Sequence, residues 1–156
     1  MELTQAEIEE RTAILKHLRS LLEKQRAKFQ EYLEVLEAQN KAIPQENPEL
    51  LAAHTDLGQQ IADSIVSLQK VILPFEELYH QKVLDTGTEE EIPRLHADLE
   101  ALQQKVLHQN KINRELLAVH MEQIQQRISD LHNPYKNTKS VYTHSDHIAT
   151  QISIDV

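Results

Sequence analysis

Nine histidines and no cysteine set the first question of chemistry in this 156-residue chain. Imidazole can ligate zinc or copper and can carry protons near neutral pH. His96, His108, His120 and His132 recur every twelve residues. On a helix, twelve residues turn a side chain by roughly 120° and advance it roughly 18 Å, so these four cannot meet at one ion. His144-Ser145-Asp146-His147 is a local chelate of two imidazoles and one carboxylate. Three ligands in a loose polar segment make a weak site. The acidic pair Glu76/Glu77 and the run Glu89, Glu90, Glu91 fit solvated helix faces or helix starts better than general acid–base pairs. The two glycines, Gly58 and Gly87, stand too far apart to build a phosphate-cradling loop, and no Ser-His-Asp signature can be traced. The chain reads as a binding protein rather than an enzyme, with no metal and no cofactor implied.

Two other sets of residues could carry recognition. Asn110 and Asn113 stand three apart where an apolar helix seam should continue, and the apolar pattern resumes at once with Leu117, Met121, Ile124 and Ile128. Asparagine in a buried seam fixes register and partner number at some expense of stability. The other reading is that the seam opens there to receive a partner helix. Tyr135 and Tyr142 lie in the polar stretch after Leu131. They could pack back on the helices, but tyrosine in a loose tail favours a role as a recognition anchor, since its ring offers a large area at small entropic loss.

Long helices must position these residues. Thr4 and Glu7 form a capping box. From there Ile8, Leu15, Leu22, Phe29, Leu36 and Ile43 recur every seven residues, as in a coiled coil. Ile14, Leu21 and Val35 widen the stripe, which suits a helix with more than one neighbour. Arg11, Gln25 and Gln39 occupy other seam positions. Pro44 and Pro48 end this helix, and Asn47 caps the next with Pro48 in its first turn. The second seam holds Leu51, Ile61, Ile65, Leu68, Ile72, Phe75 and Tyr79. Pro74 inside it predicts a kink or break near Leu73. Asp85-Thr86-Gly87 stops it, and Thr88 to Glu91 reads as a second capping box, with the start shifted toward Ile92 by Pro93. The third seam runs through Ile92, Leu95, Leu99, Leu102 and Val106. It then shifts by four residues at Asn110 and Asn113, a stutter.

Three segments of similar length, each spanning roughly 55–70 Å at 1.5 Å per residue, predict an all-α fold. Short connections make it an elongated antiparallel three-helix bundle or coiled coil. Residues 1–132 form that helical domain, and 133–156 form a flexible or extended tail. Asn133-Pro134 opens the tail, and Ile152, Ile154 and Val156 alternate at its end. The net charge is −9 and is concentrated in the second and third segments. That balance argues against nucleic acid and against anionic membrane surfaces. No apolar run approaches the roughly 20 residues of a membrane span, and the N-terminus lacks the pattern of a secretory signal.

With these features the sequence resembles the FlgN family of flagellar type III export chaperones. The resemblance is carried by a heptad first helix ending in 33–40 (Leu-Glu-Val-Leu-Glu-Ala-Gln-Asn), by an acidic second helix, and by 110–117 (Asn-Lys-Ile-Asn-Arg-Glu-Leu-Leu). It is carried also by Asn133-Pro134-Tyr135 and Ser140-Val141-Tyr142 in the tail. It implies a cytoplasmic chaperone that holds hook-associated junction proteins by their C-terminal helical segments and delivers them to the cytoplasmic domain of an export-gate protein. Carried onto this chain, the client site would be Asn110, Asn113, Leu117, Met121, Ile124 and Ile128, and Tyr135 or Tyr142 would touch the gate. The end at Ile152 departs from the family pattern. The alternative is a structural or adaptor coiled coil, a spectrin-like three-helix spacer or a homodimer through the first helix.

Overall fold

In a computed structural model, the structure describes residues 2–83 and 90–132. Among them every element is helical: α1 (Gln5–Ala42), a single 3-10 turn (Ile43–Gln45), α2 (Pro48–Lys82) and α3 (Glu91–His132). The chain divides into two units, 1–117 and 118–156. Of the second, the described part is 118–132, the last turns of α3.

Both expected caps of the first two helices are present. Glu7 donates its backbone N–H to Thr4 Oγ1, while the Thr4 N–H donates to the Glu7 carboxylate at 2.8 Å. Asn47 Oδ1 accepts from the Leu50 N–H, with Pro48 in the first turn of α2. Each satisfies backbone donors that a helix start leaves open. The box at Thr88 and the stop at Asp85-Thr86-Gly87 lie outside the described residues. The link between α1 and α2 turns at Glu46, which adopts φ 53°, a left-handed conformation.

In the first unit the three helices pack together. Glu10 pairs with Lys82, Gln25 with Gln69 and Gln39 with Thr55, so α2 runs antiparallel to α1. Arg19 pairs with Glu91, Arg26 with Asp98 and Asn40 with Asn113, so α3 runs parallel to α1. Glu76 reaches His96 across α2 and α3 at 2.6 Å. This is the up-down-up order expected of short connections.

One core joins Ile14, Leu18, Leu21 and Leu22 of α1 to Ile72 and Tyr79 of α2, Val83 just after it, and Ile92, Leu95 and Leu99 of α3. A second cluster joins Leu33 and Leu36 to Val106, with Phe29, Tyr32 and Leu102 against it. Burying each such side chain stabilises the fold by about 1.5–3 kcal/mol, whereas exposed interhelical ion pairs contribute about 0–1. The apolar seams therefore hold the helices, and the charges decorate them. Phe75 stacks on His17 at 4.7 Å, closing an edge of the α1–α2 contact.

Two expectations need correction. Ile8, the first residue of the heptad series, is exposed. Its neighbours on the seam begin to pack only from Ile14 onward, because an end turn has fewer facing residues. Of the kink or break expected near Leu73, the break is absent: α2 is one helix through Pro74. Pro74 faces outward, so the Lys70 carbonyl that loses its donor can be hydrated, while Ile72 and Tyr79 are gripped by the core on both sides. Gln25, at a seam position of α1, is buried there and donates to Gln69 Oε1 at 2.8 Å.

Candidate functional site

The point where the α3 seam shifts is built around Asn113, which is 3% exposed. Its Nδ2 donates to the main-chain carbonyl of Leu36 at 2.7 Å. Its Oδ1 accepts from Asn40 Nδ2 at 3.0 Å and from Gln109 Nε2 at 2.9 Å. Gln39 Oε1 lies 3.4 Å from the same Nδ2. A buried amide with both ends satisfied is stable, and one with a missing partner is not. Gln39 in turn reaches Thr55 of α2, so the layer touches all three helices. Register places His54 opposite Asn40, and the buried His54 Nδ1 has no hydrogen-bond partner.

Gln39 occupies a seam position of α1. Its partnership with Asn113, and the roles of Asn40 and Gln109, went unseen. The signal was present in a polar run on α1 and a polar run on α3, but only the parallel register aligns them. Asn110, three residues back, is partly buried and sits beside this layer in sequence without joining its hydrogen bonds.

Past Asn113 the seam changes character. Ile92, Leu95, Leu99 and Val106 are buried, whereas Leu117 is 38% exposed. In the second unit, Met121 is 52% and Ile128 is 48% exposed, with Ile124 partly buried between them. Leu131 is 78% exposed. Within the second unit, Met121, Ile128 and Leu131 thus lie at helical spacing with much of their apolar surface in water.

Among the described residues the histidines do not assemble, and the His144-Ser145-Asp146-His147 stretch lies outside those residues. His96 is engaged with Glu76, and His108 is exposed. Among the described residues no group of three or more His, Cys, Asp or Glu side chains could hold a metal ion. A groove of about 450 Å³ between α1 and α3, lined by Ala27, Ala101 and Leu102 and edged by Glu23, Arg26 and Lys105, contains none of the nominated residues. Among the described residues no helix is long and apolar enough to cross a membrane. Tyr135, Tyr142 and the alternating end at Ile152 lie outside the described residues.

No family model matches the chain. No solved structure matches it either. An uncharacterized protein of Treponema pallidum (strain Nichols) is 34% identical over 124 residues, covering 80% of this chain and 79% of that protein. The shared stretch is far longer than any one helix, so it spans packed elements rather than a single coiled-coil segment. The chain belongs to the same family as that Treponema protein.

Proposed function

We propose that this protein is a helical export chaperone of the flagellar type III kind, which binds the C-terminal helical segments of hook-associated junction proteins in the cytoplasm and hands them to the export gate. The observation that carries this reading is the change along α3. The seam is buried up to Asn113 and open at Leu117, Met121 and Ile128. An amphipathic client helix laid on that stripe would bury apolar faces on both sides. At roughly 25 cal/mol per Å² of apolar area, a few leucine-sized contacts can outweigh the ordering of a flexible client. The sequence features shared with export chaperones in 33–40, 110–117 and the tail support the same role, with Tyr135 or Tyr142 meeting the gate.

The test is calorimetric titration of the full chain with the C-terminal helical segment of a hook–filament junction protein from the same organism. A second titration uses a variant truncated after Leu131. Saturable 1:1 binding, with Kd in the roughly micromolar-to-nanomolar range, is expected. Unchanged affinity after truncation assigns the tail to the gate rather than to the client. No binding at tens of micromolar (roughly −6 kcal/mol), together with a stable self-dimer by light scattering, overturns the reading in favour of a structural coiled coil.

A further inference from the structure

The ties between α1 and α3 repeat every seven residues. Leu15, Leu22, Phe29 and Leu36 on α1 face a seam on α3 that includes Ile92, Leu99 and Val106. The two ion pairs, Arg19–Glu91 and Arg26–Asp98, also lie one heptad apart on both helices. If α3 moved along α1 by one heptad, roughly 10 Å, apolar residues would land on apolar residues. A charge pair would survive too: Arg26 with Glu91 in one direction, Arg19 with Asp98 in the other. Neither the seam nor the ion pairs can therefore tell the observed register from its two neighbours.

The Asn113 layer can. Moved one heptad toward the start of α1, Asn113 would keep Gln109 of its own helix and a main-chain carbonyl, that of Phe29, but would meet Tyr32 in place of Gln39 and lose the Asn40 amide to Leu33. Moved the other way, Val106 would take its place and leave the Asn40 amide without its acceptor, while Gln39 would keep only Thr55. A buried amide without a partner is disfavoured by far more than an exposed one. We infer that the hydrogen-bonded layer of Asn113, Asn40, Gln39 and Gln109 sets the register of α3 on α1, a positioning role that the apolar repeat cannot perform. The register also decides that Leu117 stays uncovered. That consequence for a client rests on the proposed chaperone function; the register itself does not.

The chain contains no cysteine, so introduced thiols report the register without background. Three double variants are compared under a short bis-thiol cross-linker. R26C/D98C reports the observed register, and R26C/E91C and R19C/D98C report the two one-heptad shifts. On the otherwise native chain only R26C/D98C joins. Adding N40L/N113L replaces the layer by an apolar one, and a shifted pair then cross-links to within a few-fold of the R26C/D98C yield. N113L alone gives the same shift. The inference is overturned if the N40L/N113L chain, helical by circular dichroism, still joins only R26C/D98C. It is overturned equally if that chain fails to fold, since the layer would then be needed for stability rather than for register. No client enters the assay, so failure of the chaperone reading leaves this result unaffected.

Discussion

Asn113 Nδ2 lies 2.7 Å from the carbonyl oxygen of Leu36, a main-chain acceptor in the middle of α1. A helix carbonyl has a second lone pair, and here a side chain from another helix uses it. The Asn113→Ala variant removes that donor and leaves the Asn40 and Gln109 amides without their shared acceptor. A loss of about 2–3 kcal/mol is expected from urea unfolding. Asn113→Leu strands the same two amides and should be destabilised as well, whereas Asn40→Leu/Asn113→Leu replaces both ends of that pair by apolar groups and should lose less than Asn113→Ala. If the double variant is destabilised as much as Asn113→Ala, the layer acts by shape and not by hydrogen bonding.

Gly58 is buried in α2 against α1, and a Cβ placed there would meet Tyr32 Cε2 at 3.4 Å and Val35 Cγ1 at 3.7 Å. Those are ordinary contact distances, so alanine fits. Helix propensity then favours Gly58→Ala by about 0.5–1 kcal/mol. Gly58→Leu would collide with the same two side chains and should lower the melting temperature. Thermal unfolding of the pair, followed by circular dichroism, checks both signs.

The fold was legible because its signals are local and repeated. Seven-residue spacing from Leu15 to Ile43, the Asn47-Pro48 start and the break in pattern at Asn113 each mark a helix, its end or its face within one segment. What escaped was set by neighbours. The outward aim of Pro74 depends on where α1 and α3 lie around α2. The burial of Gln25 depends on Gln69, 44 residues away. The pairing of Asn40 with Asn113 depends on a parallel register that no single helix encodes. The site was half legible for the same reason. Sequence marked Asn113 and the stripe after it, but not the α1 residues that satisfy the asparagine.

Pro74 also yields a prediction. It removes one backbone hydrogen bond, to the Lys70 carbonyl, from a helix that runs on regardless. Pro74 is exposed, so replacing it with alanine creates no cavity. The Pro74→Ala variant should gain about 1–3 kcal/mol, with a slightly deeper helical signal. A loss of stability would show that the proline itself shapes the contact of α2 with its neighbours.

The cap of α1 makes one end of the bundle sensitive to acid. The Thr4 backbone N–H, and then its hydroxyl, hold the Glu7 carboxyl below its ordinary value. A carboxylate whose folded pKa is depressed stabilises the folded form above its unfolded pKa. That stabilisation is lost as pH falls through the folded pKa. Amide exchange in the first turn of α1 should therefore accelerate as pH drops below the usual glutamate range, after correction for the intrinsic rate. The Thr4→Ala variant loses the hydroxyl but keeps the backbone N–H, so it should show faster exchange at neutral pH and a smaller, not abolished, pH dependence. An NMR titration of the Glu7 side chain in both proteins gives the direction of the shift independently.

The exposed stripe separates stability from binding. Met121 and Ile128 have about half their surface in water, whereas Leu18 has none. Leu18→Ala should lose about 2–5 kcal/mol, the range for a leucine removed from a close-packed core. Met121→Ser and Ile128→Ser should each stay within about 0.5 kcal/mol of the native chain, because each gives up little buried area. If the stripe holds a client helix, the same two substitutions should weaken binding of the hook-associated segment by roughly tenfold or more apiece, since each removes over 1.4 kcal/mol of apolar contact. Unfolding and titration on one set of variants decide the matter. Loss of stability at Met121 or Ile128 would mean that the stripe is covered within the protein itself. Unchanged stability with unchanged binding would place the client elsewhere.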